Sequence, residues 1–425
     1  MRNPAPIIAT LFLGALILFL LLRPHPPKPT PTELETPTSP PIALSLLAEA
    51  PDWSELDAYQ NTISRSDFEK LLTNIFTTDN TWQNYISITD TNAEILTSTD
   101  PAEPPFILTF ATPEKNLPVP RLWQETSSLP IPPPEKPLTG LHIAIDPGHI
   151  GGEWAKTEER WFQIGDDKPV TEGDMTLRVA KLLKPLLEEM GAQITLVRTT
   201  TEPVTPLRPE NLTEQAENSA PSDPLSLKRF AERLFYRTAE IRARAKLVNQ
   251  TIQPDLVLCL HFNAEAWGDP ENPTLVPRTH FHILLNGAYT SDEIHLADQR
   301  FAMLKKLLQR THEEEALVGK TIAETFSEIT SLPPFIYPPG GNNYRNIPDS
   351  TFLYARNLLA NRLYDCPVIF MEPYVMNSTI DYARIQAGDY QGLKEIDGVP
   401  LPSIYQEYAT ALATALANHY SHKEH

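Results

Sequence analysis

Cysteine is almost absent from this chain, which carries only Cys259 and Cys366 in 425 residues. Two thiols so far apart exclude a disulfide-stapled scaffold and the paired thiolates of a structural zinc module. Each stands in or beside an apolar run and reads as a packed thiol. A bridge between them in an oxidising compartment stays open at this level. Positive charge is also short, with 35 Lys and Arg against 54 Asp and Glu and a net charge of −19. So acidic a chain offers no basic patch for a polyphosphate backbone, and no nucleic-acid partner is expected. No internal repeat is visible. The length and the 41% hydrophobic fraction allow more than one domain and a sizeable core.

One apolar run is long enough to cross a bilayer, residues 5–22. It ends in Leu20-Leu21-Leu22-Arg23-Pro24 without the small-residue site of a cleaved signal peptide. We therefore expect an uncleaved single-pass anchor in the cytoplasmic membrane. Residues 23–43 read as an extended proline-rich spacer. Residues 44–112 read as a small α+β domain, with a helix from Ser66 to Phe76 and strand-like segments Trp82 to Thr89, Ala93 to Ser98 and Phe106 to Phe110. Ser66 and Glu69 form a capping-box pattern at the helix start. Nothing in this unit suggests chemistry, so it is a scaffold or interaction module. A second proline-rich linker spans 113–138.

From residue 139 to the C-terminus strands alternate with helices. Strands are expected at Leu141 to Asp146, Gln193 to Val197, Leu256 to Leu260, His280 to Leu285 and Val368 to Met371. Helices are expected at Met175 to Met190, kinked at Pro185, then at Ser226 to Gln250, Asp292 to Thr311, Ala316 to Thr330 and Ser403 to His419. The fold class is α/β, with a mixed, mostly parallel sheet flanked by helices. Such sheets carry their ligands at the carboxyl edge of the strands. His149 stands there after Pro147-Gly148, and His261 ends the run Asp255 to Leu260. Glu172 opens a helix, where the dipole favours the ionised carboxylate a metal needs. Two imidazoles and a carboxylate form a common catalytic zinc set that leaves a fourth position for water. Glu372 stands at the exit of another apolar strand.

Asp146-Pro147-Gly148-His149 with its two following glycines, Glu172 five residues before Leu177, His261-Phe262-Asn263-Ala264 and Pro367 to Glu372 resemble the N-acetylmuramoyl-L-alanine amidases of the type 3 zinc family. Ile241 to Asn249 resembles that family's helix before the third ligand strand. The resemblance runs from about Leu141 to the C-terminus. It implies a zinc amidase-like fold, Zn2+ held by His149, Glu172 and His261, and Glu372 as general base. Glu158, Glu159 and Asp174 rival Glu172, which the spacing to Leu177 favours. The implied substrate is peptidoglycan, cut between N-acetylmuramic acid and L-alanine in envelope remodelling or cell separation. The catalytic domain would then lie in the periplasm or cell wall space, with an activator protein as a further partner. A zinc peptidase acting on crosslinks, or a non-catalytic protein binding peptidoglycan or a division partner, are the alternatives.

The chain departs from the family pattern in an aromatic, charged insertion before Glu172 (Trp154, Glu158, Glu159, Trp161, Phe162), in a second insertion from Thr201 to Asp223, and in a run from Glu372 to Asn377 shorter by one residue. Either insertion could cover the zinc. His280 and His282 share a strand face and read as ordinary strand histidines. Trp154, Trp161 and Phe162 read as loop packing ahead of sugar stacking.

Overall fold

The computed structural model describes residues 42–219 and 223–421. The run expected to anchor the chain and most of the spacer after it lie outside these residues. Among the described residues no helix is long and apolar enough to cross a membrane.

The part that follows residue 139 is built on one seven-stranded sheet. Its strands are β1 His142–Pro147, β2 Gln193–Leu196, β3 Leu256–Leu260, β4 Phe281–Leu285, β5 Arg345–Asn346, β6 Leu353–Ala355 and β7 Val368–Pro373. The spatial order is β5-β6-β4-β7-β3-β1-β2. β1, β2, β3 and β7 run parallel, β4 pairs antiparallel with β7 and parallel with β6, and β5 is an antiparallel edge. β3 and β4 are buried at every residue, as strands covered on both faces must be, which is why they read as unbroken apolar runs. The register sets Pro147 opposite Leu260 and Met371 opposite Leu260, so β1, β3 and β7 end level with one another.

Three long helices cover the sheet: α1 Glu172–Glu189, α2 Thr311–Thr330 and α3 Ile404–Ser421. α1 begins at Glu172 itself, three residues ahead of expectation, and continues through Pro185. The segment expected as one helix from Asp292 to Thr311 is two, Ser291–Ile294 and Ala297–Gln309, and α2 starts at Thr311 instead of Ala316. Arg310 separates them in a left-handed conformation, φ 56°, which no α-helix can contain. The expected helix from Ser226 starts earlier, at Pro224 behind the cap Asp223, and runs to Ile252 through two wider turns.

Residues 44–112 hold a helix, Arg65–Leu71, and a three-stranded antiparallel sheet of Ile86–Ile88, Asn92–Ile95 and Phe106–Thr109. The helix cap is Ser64, not Ser66: Ser64 is extended and accepts from Asp67 N, whereas Ser66 already lies in the first turn. Half of the expected strand from Trp82 is a short 3-10 turn, Thr81–Asn84. This part shares one apolar core with the part built on the seven-stranded sheet. Backbone bonds from Ala288 N to Ile75 O (2.8 Å) and Tyr289 N to Phe76 O (2.7 Å) join the two. Gly287 is required there, because a Cβ would meet Ile75 O at 2.7 Å.

Cys259 and Cys366 are buried free thiols.

Candidate metal centre

His149, Glu172 and His261 converge although they come from a turn, a helix start and a strand exit. One ligand atom of each lies within 4.8 Å of the others. His149 Nε2 is 3.1 Å from Glu172 Oε2, and His261 Nδ1 is 3.0 Å from Glu172 Oε1. Glu372, the fifth residue of β7, lines the same cavity of about 340 Å³, together with Arg160, Asn263 and Glu265.

The chain holds His149 in place at a cost. Its φ of 58° is left-handed, a strain of roughly 1–3 kcal/mol for a side-chain-bearing residue. Two buried arginines fix the turn that carries it. Arg244 donates to Asp146 Oδ1, Pro147 O and His149 O, while Arg198 donates to the carbonyls of Pro147 and Gly148 and to that of Gly173 in the first turn of α1. The turn is thereby tied to the helix of Glu172. Gly148 leaves room for the His261 ring, which stacks on Phe370 at 4.2 Å between centroids.

Of the rival carboxylates, Glu158 accepts from Ile150 N and Gly151 N and stands 3.6 Å from His149 Nδ1, the ring nitrogen turned away from Glu172. It orients the imidazole, as partners behind metal ligands do. Glu159 faces Arg237 and Tyr236, and Asp174 accepts from Gly152 N; neither joins the cluster. Sequence reasoning missed Arg198 and Arg160. Arg160 Nε lies 3.3 Å from Glu172 Oε2 and comes from the inserted segment.

Electrostatics follow from burial. Glu172 is 3% exposed, which by itself disfavours ionisation, yet His149 and His261 hold its carboxyl well below the usual range. Burial opposes protonation of His149 too, but Glu172 and Glu158 raise its pKa to about 9. His261 is pushed down by burial, with Glu172 acting against it. Burial, then repulsion from Glu172, raises Glu372 to about 8. The donor set fits zinc: two imidazoles and one carboxylate with their donor atoms gathered, and a cavity open beside them.

His282 pairs across the sheet with Glu372 and lies 3.4 Å from Asn263 Nδ2; burial lowers its pKa to about 3, so it is neutral. His280 is 3.5 Å from Glu265. Asn377 bonds Glu265 N and Thr274 O and so shapes the cavity rim after the shortened run. Trp154 packs on Phe235 and Phe162 on Trp267, so these insertion aromatics serve packing. The second insertion packs Leu212 and Ala216 with Ile150.

No curated protein matches this chain. Several solved structures are similar to it. Ami1, an N-acetylmuramyl-L-alanine amidase from Mycobacterium smegmatis, is 14% identical over 67% of this chain and 98% of its own, with a TM-score of 0.36. The CwlD amidase from Clostridioides difficile, in complex with the GerS lipoprotein, is 14% identical over 66% and 99%, with a TM-score of 0.36. AmiC2 of Nostoc punctiforme, also an N-acetylmuramoyl-L-alanine amidase, is 14% identical over 66% and 97%, with a TM-score of 0.33. The family model for N-acetylmuramoyl-L-alanine amidase matches residues 143–394, more than half of the chain and the whole of the cluster described above. The chain belongs to the N-acetylmuramoyl-L-alanine amidase family and is an enzyme of that class.

Proposed function

We propose that the protein is a zinc-dependent peptidoglycan hydrolase that cleaves the amide between N-acetylmuramic acid and the L-alanine of the stem peptide. The observation that carries this reading is the gathering of His149, Glu172 and His261 with Glu372 in one cavity. Zinc held by the three ligands would supply Lewis acidity, polarising the scissile carbonyl and acidifying water. Glu372 accepts a proton from the attacking water and delivers it to the leaving amine nitrogen. Arg160 contributes fixed positive charge beside the developing oxyanion. Glu158 and Arg244 keep His149 in its strained position throughout.

Residues 5–22 anchor the chain in the cytoplasmic membrane, and the catalytic part works in the periplasm or cell wall space, in envelope remodelling or cell separation. The length and apolarity of that run, and the absence of a cleavage site after it, support this placement. An activator protein is a further partner on this reading.

Mass spectrometry of sacculi digested with the full-length protein tests the activity. Stem peptides with a free L-alanine amino terminus are expected, and their release should stop on chelation. Release of cleaved crosslinks with the L-alanine amide intact would overturn the reading in favour of a peptidase.

A further inference from the structure

The inserted segment before Glu172 builds a second cavity beside the catalytic one. We propose that this cavity binds the carboxylate-bearing peptide arm of the substrate through Arg229 and Arg233, an inference that rests on the amidase reading of the site. Trp267 is a wall common to both cavities, and the outer one measures about 590 Å³. Trp161, on its wall, pairs in register with Thr171, the residue before Glu172. A substrate arm that extends from the metal ligands past Trp267 therefore enters it.

Charge decides what the cavity takes. Its three glutamates are each engaged: Glu159 by Arg237 at 3.6 Å, Glu232 by Lys228 at 3.8 Å and Glu271 by Lys156 at 3.9 Å. Among the described residues neither Arg229 nor Arg233 forms a salt bridge, and the Arg233 guanidinium lies 6.0 Å from the Phe230 ring centroid. They are four apart on the helix Pro224–Leu234, so both guanidinium groups are carried on one helix face. In a chain of net charge −19, two arginines without an acidic partner on the wall of a hydrolase cleft form a local anion site. The aromatic rings nearby are already covered. Lys156 Nζ lies 3.9 Å over Trp161, and Phe162 packs on Trp267 at 5.2 Å between centroids. A sugar stacking on those faces would have to displace these partners, whereas a carboxylate meets the arginines directly.

The full-length protein is titrated by calorimetry with the stem tripeptide L-alanyl-γ-D-glutamyl-L-lysine, and separately with the same peptide carrying carboxamides in place of its carboxylates. The acidic peptide should bind about tenfold more tightly, the difference of roughly 1.4 kcal/mol that two solvent-screened pairs supply. The preference should shrink as salt is raised. The double reversal Arg229→Glu and Arg233→Glu should abolish it, while lysine at both positions should keep most of it. Both sites are exposed, and an unchanged thermal midpoint will show that the variants fold. Equal affinity of the wild type for the two peptides overturns the proposal without any variant, as does a preference that survives the reversal. Binding and cleavage are read separately: a preference without stem-peptide release keeps this subsite and removes the amidase reading, and release without a preference does the opposite.

Discussion

Gly148→Ala should weaken metal binding while leaving the fold intact. A Cβ added at Gly148 would lie 2.3 Å from His261 Cε1 and 2.5 Å from its Nε2. Ordinary contact begins near 3.4 Å, so something must yield by about 1 Å. The ring has nowhere to retreat, since Phe370 stacks on its face and Glu172 bonds its Nδ1. The turn is equally fixed, because Arg198 and Arg244 grip its carbonyls. Gly148 is not among the glycines with positive φ, so alanine suffers no backbone penalty and the effect is steric alone. Overpacking of this kind costs roughly 1–3 kcal/mol, which lowers the melting temperature by about 2–4 °C per kcal/mol in a domain of this size. Displacing the ring by that distance should cost about 10- to 100-fold in zinc affinity, the range seen when a ligand loses its support. Competition against a chromophoric chelator measures the affinity and calorimetry the melting. Unchanged zinc affinity in a folded variant would refute the argument that Gly148 exists to admit the His261 ring.

Other outcomes test the remaining parts of the site and its frame. His149→Ala or His261→Ala should abolish the roughly one zinc per chain expected from a three-ligand set, as read by elemental analysis. Full metal content in either variant would remove that residue from the set. Glu372→Gln should retain zinc and fold while turnover falls by about 10² to 10⁴; loss of zinc instead would make Glu372 a ligand. Arg244→Met strands Asp146 and Glu240 without their partner and should cost about 3–5 kcal/mol in denaturant unfolding. His312 is buried, which lowers its pKa to about 4. Its folded pKa lies below the unfolded 6.5, so its contribution is whole above pH 6.5 and is lost as the pH falls toward 4, by up to about 3 kcal/mol. His312→Phe should therefore move the acid-unfolding midpoint downward, and an unmoved midpoint would show that His312 does not govern it.

The ligand positions were legible because the strands that carry them are buried on both faces. Such strands read as apolar runs, and the polar residue that ends each run stands out at the sheet edge: His149, His261 and Glu372. Glu172 was legible from its place at a helix start. The supports were not, because they are long-range pairings with no local pattern. Arg244 reaches Asp146 across 98 residues and Arg198 reaches Pro147 across 51. The same holds for β5 and β6, with two and three residues, too short to show alternation. The hairpin of Leu393–Ile396 and Val399–Pro402 is largely exposed, so burial leaves no mark on its sequence. The break at Arg310 could not be read either, since an arginine in the left-handed region carries none of the signal that glycine would.

The electrostatics of the cluster follow from gathering two imidazoles and two carboxylates around one cavity. Glu172, buried, and Glu372, half-buried, face one cavity, and desolvation, then repulsion from Glu172, pushes Glu372 to about 8. A carboxyl raised toward neutrality is suited to taking up a proton and then handing it on. Burial opposes protonation of both imidazoles, yet Glu172 and Glu158 raise His149 to about 9, whereas His261 is lowered. Zinc held by His149, Glu172 and His261 would take the place of the His149 proton and add positive charge beside Glu372, favouring its ionised form. Glu172, as a ligand that also faces Glu372, would thereby couple metal binding to the protonation of the base.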